Sequence, residues 1–349
     1  MVALGDWEAL ARDRLDPQAW AYLSGHAGDG VTARRNRDAF RAATIVPRVL
    51  LDERDAETPV ELFGRRIAMP ILLAPVAHQG LFHPMAERAS AMAAAAVDTI
   101  LVASTLSTLP LEAIAAAADG GGQWFQLYPQ ADRGLTDELV ARAEAAGFEA
   151  LVITVDAPVF GVRNVEQRAG FRLPPELAPA NLAGRASMAT SSDADGLAAL
   201  LAHRPTWAEI ERIVASTRLP VLLKGILHEA DAERAVAIGA AGVIVSNHGG
   251  RVLDLAPAAL DRLAPIRDRL GRDAIVLLDG GIRRGADVWV ALDRGADAVM
   301  VGRPAMEALA VGGPLGVARA LATLAEETAI TVALAGRPGD ERTVMVAGR

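Results

Sequence analysis

The chain of 349 residues contains no cysteine. That absence excludes disulfides, thiol nucleophiles and Cys-ligated metal sites, and it fits a reducing cytoplasm, the expected location. A surplus of positive charge is also missing. Lys+Arg total 35 against 43 Asp+Glu, a net charge of −8, which leaves no electrostatic footprint for nucleic acid or an anionic membrane. The opening Met1-Val2-Ala3-Leu4-Gly5-Asp6-Trp7-Glu8 lacks a basic segment leading into an apolar one, and no uncharged apolar run approaches membrane-spanning length. Neither a signal peptide nor a membrane partner is expected. What the chain does have is apolar mass: 52% of its residues are hydrophobic, enough for a sizeable core.

From about Ile67, apolar β-type runs alternate in one order with Ala-rich stretches of helical periodicity. The spacing predicts strands at Ile67–Pro75, Thr99–Ser104, Trp124–Tyr128, Ala150–Asp156, Val221–Gly225, Gly242–Asn247, Ile275–Gly281 and Ala298–Pro304. Each is short and nearly continuous in apolar residues, as strands buried on both faces are. Segments such as Thr136–Ala146 and Glu229–Ile238 read as helices between them. Eight β-then-α units predict an α/β fold, a (β/α)8 TIM barrel over 67–349, in one unit with an N-terminal helical cap and connecting strand over 1–66. A Pro-, Ala- and Ser-rich insertion after the fourth strand, about 173–204, is too long for a plain connection and is expected to form a mobile or partly disordered lid.

Barrel sites lie at the C-terminal ends of the strands, and here those ends are polar. Strand three ends Gln126-Leu127-Tyr128, four Thr154-Val155-Asp156, five Lys224-Gly225, six Ser246-Asn247-His248, seven Asp279-Gly280-Gly281 and eight Gly302-Arg303-Pro304. In Ser246–Arg251 a histidine is followed, across two glycines, by an arginine, and Asp254 stands just beyond. Histidine suits proton transfer near neutral pH, and arginine's planar fork matches a carboxylate. Such a turn points to chemistry at the carbon beside a carboxylate. Asp279–Gly285 and Gly302–Pro304 each read alone as tight turns. At the last two strand ends, with their arginines, they together form the usual phosphate site of the barrel. Since the same mouth also holds the base and the clamp, that phosphate could belong to a cofactor rather than to the substrate.

Taken together, these segments resemble the FMN-dependent α-hydroxy acid oxidases and dehydrogenases, the glycolate, lactate and mandelate-type enzymes. The resemblance runs from about Asp6 to Ala335. Ala74-Pro75-Val76-Ala77, Phe125–Tyr128, Thr154–Pro158, Lys224-Gly225, Ser246–Arg251 with Asp254, and both Gly-Arg segments carry it.

The resemblance implies FMN as cofactor, no metal, and a small 2-hydroxy acid plus O2 as partners. Homo-oligomers, tetramers or octamers, are common in the family. It implies His248 as base, Asp156 as the group that holds its imidazolium form, and Arg163 and Arg251 as the substrate carboxylate clamp. Tyr22 and Tyr128 would bond the substrate's oxygens, Tyr22 on a register read without a gap from Asn36-Arg37. Lys224 would lie near flavin N1. Gln126, Thr154 and Ser104 would meet the isoalloxazine edge, and the backbone of Ala74, Pro75, Val76 and Ala77 would lie along the ring. Ser246 would also line the flavin site, Asp279 would meet the ribityl chain, and Gly281, Arg283, Gly302 and Arg303 the phosphate. Asp254 would hold the loop that bears Arg251.

Two departures bear on function. The family's Gly-Arg-Arg-Glu is here Gly161-Val162-Arg163-Asn164, which keeps the second arginine. Leu106 stands where short-acid oxidases often carry tryptophan, which would enlarge the pocket for an aromatic or branched acid. His78 is expected to pack or hydrogen-bond beside the flavin and His83 to be structural, with His26, His203 and His228 solvent-facing. Oxidation of an (S)-2-hydroxy acid to the 2-oxo acid, with O2 reduced to H2O2, is the expected activity. Oxidative decarboxylation of a product trapped under the lid and a dehydrogenase with another acceptor stand beside it. A non-catalytic flavin binder is disfavoured, having no need of a base beside a carboxylate clamp.

Overall fold

A computed structural model describes residues 1–50, 56, 58–183, 204–339 and 344–346. Eight parallel strands close into a barrel: β1 (Ile71–Leu73), β2 (Ile100–Ser104), β3 (Gly122–Leu127), β4 (Ala150–Thr154), β5 (Val221–Ile226), β6 (Gly242–Val245), β7 (Ile275–Asp279) and β8 (Ala298–Val301). Sequence neighbours pair around the ring, and β8 closes on β1 with Met300 opposite Leu72. This is the predicted fold. Its strands mostly stop a residue or more before the predicted ends, because the polar residues there leave the ladder and turn over the mouth.

The prediction fails most at the first strand. Pro70 has no N–H to give the ladder, so β1 begins only at Ile71; the Pro70 carbonyl still accepts from Val299 at 2.9 Å. Ile67 belongs instead to a hairpin, Val60–Leu62 against Arg65–Ile67. Leu62 and Ile67 from that hairpin pack with Leu72, Trp124 and Met300 inside the barrel, closing its lower end. A second pairing has no counterpart in the sequence reading: Ala43–Ile45 runs antiparallel to Val344–Val346 and ties the cap to the far end of the chain.

The N-terminal cap comprises helices Gly5–Arg14, Pro17–Ser24 and Val31–Ala42. Asp254 anchors it, accepting from the Asp29 N–H at 2.9 Å and the Thr32 N–H at 2.8 Å. The loop after β6 is thereby fixed to the cap, as expected of Asp254. The helical stretch Arg303–Ala335 is long and apolar enough to cross a bilayer. However, Gly313 (φ 56°) and Pro314 interrupt it, and 56% of its most apolar window is buried against the barrel. Of the expected lid, 173–183 forms two short turns, Pro175–Leu177 and Ala180–Leu182. Buried Asn181 ties the second turn to the end of β2, donating to Ser107 Oγ at 2.8 Å. The rest of the lid, 184–203, lies outside the described residues, as does His203.

Candidate active site

At the end of β6 the chain turns through His248 in the left-handed region (φ 57°), a conformation that strains a residue with a Cβ. The turn is held from behind. Ser246 Oγ accepts from the His248 N–H at 3.0 Å, and Asn247 Oδ1 accepts from the Gly250 N–H at 3.2 Å. His248 Nδ1 then meets Asp156 Oδ1 at 2.9 Å, and Nε2 lies 3.5 Å from the Tyr128 hydroxyl. Asp156 itself stands behind the cavity wall. Burial alone would raise its carboxyl, but the His248 ring and then Lys224 outweigh burial and hold it below the ordinary value. Gly225 (φ 105°) makes room for this pair: a Cβ there would come within 2.6 Å of Asp156 Cγ.

Across the mouth, Arg251 stacks over the Tyr22 ring at 5.1 Å and donates to the carbonyls of Tyr22 (2.7 Å) and Gly25 (2.8 Å). Arg163 donates through Nε to the Arg251 carbonyl at 3.2 Å. Tyr22 faces the cavity, stacked on Phe171 at 4.9 Å, which agrees with the ungapped register. Burial raises the hydroxyl pKa of both Tyr22 and Tyr128, so both remain protonated donors.

The third side carries the residues expected to meet the flavin. Ala74 to Ala77, Ser104, Gln126, Thr154 and Lys224 all line the cavity. Ser104 Oγ donates to Gln126 Oε1 at 3.1 Å, which turns the Gln126 NH2 away from Ser104. Lys224 Nζ donates to Asp279 Oδ2 at 2.8 Å and Ser246 Oγ at 3.0 Å. Burial disfavours the Lys224 ammonium, but Asp279 and Asp156 more than compensate, and its pKa rises.

One expectation needs correction. Ser246 is fully buried and off the wall, because its hydroxyl is spent behind it on Lys224 and the His248 N–H. Arg303 lines the cavity, and three of its N–H groups donate to the carbonyls of Leu23, Gly249 and Gly25 at 2.9–3.1 Å, stitching cap to barrel. Burial and then the neighbouring Arg251 and Arg283 push its pKa down to about 9. Gly281, Arg283 and Gly302 line the cavity as expected.

Among the other histidines, His228 caps a helix, accepting from the Ala230 N–H at 3.1 Å, and His83 likewise accepts from the Met85 N–H at 3.2 Å. His78 lines the cavity in a left-handed conformation. Burial lowers its pKa to about 4, which keeps the ring neutral. Glu166, which sequence reasoning missed, reaches both clamp arginines; three residues beyond Arg163 in a short helix, it gives no signal apart from that spacing.

These walls enclose a cavity of about 1230 Å³. A base, a carboxylate clamp and a buried cation meet in it, an arrangement able to hold a carboxylate, take a proton beside it and offset negative charge that develops there. A family profile described as FMN-dependent dehydrogenase matches residues 11–340. The chain belongs to this family.

An L-lactate oxidase of Alicycliphilus denitrificans is 47% identical over 341 residues, covering 95% of this chain and 93% of the relative. A 4-hydroxymandelate oxidase of Amycolatopsis orientalis is 45% identical over 340 residues, with 96% and 94% covered. The solved structure of a mandelate oxidase variant with (S)-mandelic acid matches at a TM-score of 0.92 and 41% identity over 100% of both chains. The protein is therefore an FMN-dependent oxidoreductase of the α-hydroxy acid oxidase family.

The cavity fits that cofactor on its own chemistry. Among the described residues, four buried polar atoms of its lining have no partner: His78 Nδ1, Gln126 Nε2, Asp279 Oδ1 and Arg283 Nε. Unsatisfied buried groups are costly and signal a ligand. A donor at a ring edge, an acceptor for a hydroxyl and a cation for a phosphate are what an isoalloxazine, a ribityl chain and a phosphate require.

Proposed function

We propose that this enzyme oxidises an (S)-2-hydroxy acid with an aromatic or branched side chain to the 2-oxo acid, O2 being reduced to H2O2. The observation that carries the reading is that His248, backed by Asp156, and both clamp arginines line one cavity that also has an apolar stretch of wall. Leu106, Phe82, Phe160, Phe171 and Leu173 form that wall. The relatives named for lactate and 4-hydroxymandelate oxidation, and the neighbour holding (S)-mandelic acid, support it.

The substrate carboxylate sits between Arg163 and Arg251, with the tyrosine hydroxyls directed at its oxygens. His248 takes one proton through Nε2, and Asp156 at Nδ1 stabilises the cation that forms. The protonated Lys224 compensates negative charge developing beside it. Bound FMN supplies the two-electron acceptor. Overall the substrate loses two electrons and two protons, the gain that turns O2 into H2O2.

The test is anaerobic mixing of the yellow holoenzyme with (S)-mandelate, (S)-lactate and glycolate, following flavin absorbance at about 450 nm. Bleaching fastest with mandelate and reversed by air is the expected result. Bleaching that air does not reverse would replace O2 with another acceptor. Preference for glycolate would overturn the substrate reading.

A further inference from the structure

Glu166 belongs to no step of the proposed reaction, yet it occupies the centre of the clamp. Its Oε1 lies 3.0 Å from Arg251 Nη2 and 3.5 Å from Arg163 Nη1, with all three side chains largely buried. It lines the same cavity as the guanidiniums. Two buried like charges held side by side need a counter-charge, and Glu166 is the carboxylate that supplies it.

We propose that Glu166 is a resident carboxylate of the substrate clamp that sets its charge count and thereby fits it to monocarboxylates. Two guanidiniums and one internal carboxylate leave a single net positive charge. A substrate with one carboxylate brings the group to neutrality. A dicarboxylate leaves a buried, uncompensated negative charge, which costs far more than an exposed one. Glu166 therefore acts by exclusion, selecting 2-hydroxy monoacids over 2-hydroxy diacids of the same bulk.

The inference rests on the substrate reading above, but its test does not require turnover. Phenylacetate and phenylmalonate share an aryl group and differ by one carboxylate; neither carries a hydroxyl to oxidise. Their affinities for the holoenzyme are read from perturbation of the flavin spectrum. Glu166→Gln is expected to raise the phenylmalonate-to-phenylacetate affinity ratio about tenfold. Glu166→Asp, which keeps the charge, should leave the ratio within about twofold of the parent protein. An unchanged ratio in Glu166→Gln, or an equal rise in Glu166→Asp, overturns the proposal.

A second comparison holds if Glu166→Gln alone does not fold. Arg163→Met leaves the clamp neutral and should weaken phenylacetate binding; adding Glu166→Gln restores one positive charge and should recover part of the loss. A double variant no better than Arg163→Met also overturns the charge match. If no 2-hydroxy acid bleaches the parent enzyme while the affinity ratio still shifts in Glu166→Gln, the oxidase reading fails and the charge match stands.

Discussion

His248 Nδ1 and Asp156 Oδ1 are 2.9 Å apart, and the pair joins two strand ends that are 92 residues apart in the chain. The bond fixes which ring nitrogen faces the cavity and supplies the charge that stabilises an imidazolium. Asp156→Asn retains the shape and removes that charge. Its flavin reduction rate should fall roughly 10²–10⁴-fold, while phenylacetate still binds within about threefold of the parent. Stopped-flow bleaching and spectral titration separate the two effects. Equal loss of both would make Asp156 a scaffold residue.

Gly225 tests the same pair through sterics. An added Cβ would meet Asp156 Cβ at 2.5 Å, at a backbone φ of 105° that an L side chain rarely adopts. Gly225→Ala should therefore cost about 1–3 kcal/mol of stability and lower the reduction rate as Asp156→Asn does. Denaturant unfolding and stopped flow measure the two. A stable variant with full activity would show that Asp156 can shift without consequence.

Much of this site was legible because its residues stand where a nearly continuous apolar strand ends in a polar group. His248, Asp156, Lys224, Gln126 and Asp279 all follow apolar runs, and the barrel brings those ends to one mouth. What escaped depends on contacts between distant segments. The pairing of Ala43–Ile45 with Val344–Val346 joins strands of three residues each, too short to carry a pattern. Glu166 reads as one more helix-surface acid until Arg251 arrives from 85 residues away. Ser246 lies in the expected neighbourhood, but a sequence does not show that its oxygen already accepts from Lys224 and the His248 N–H, or that Arg303 gives three of its N–H groups to backbone carbonyls. Ile67 departs from the predicted strand because the apolar run continues through Pro70 from one element into another.

His78 gives a pH dependence of stability. Its folded pKa of about 4 lies below the ordinary 6.5, burial being the cause. Above about pH 6.5 the ring is neutral in both states, and its contribution is fully present. As pH falls from there toward 4, the unfolded chain binds a proton that the folded one refuses, and stability is lost. Between pH 7.5 and pH 5 the loss is roughly 2 kcal/mol. His78→Asn, which tolerates the left-handed conformation, should remove that portion of the slope. Glu307, raised to about 7 by burial, contributes the opposite slope, but equally in both proteins, so it cancels in the difference. Urea unfolding at the two pH values decides it, and parallel slopes would refute the assignment.

Arg283 tests cofactor retention. Its buried Nε has no partner among the described residues, while Nη1 donates to the Ile282 carbonyl at 2.8 Å. If that free donor faces the FMN phosphate, Arg283→Met should weaken FMN binding roughly 10- to 100-fold, the effect of losing a charged hydrogen bond. Recovery of free-flavin fluorescence on dilution gives the Kd. An unchanged Kd would place the phosphate nearer Arg303.

Leu106 probes the substrate side of the cavity. It lines the same cavity as Phe82, Phe171 and Leu173, and its backbone is already fixed: its N–H donates to Ser104 Oγ at 3.1 Å and its carbonyl accepts from the His78 N–H at 3.0 Å. A larger side chain there must extend into the cavity, because the backbone cannot retreat without breaking both bonds. Leu106→Trp should therefore shift the ratio of kcat/KM for glycolate over mandelate upward by at least about tenfold, mainly through loss of mandelate. The same substitution leaves the clamp and the base untouched, so glycolate turnover should persist. If both substrates lose equally, Leu106 does not border the substrate's side chain, and the size preference must come from other wall residues such as Phe82, Phe160 or Phe171.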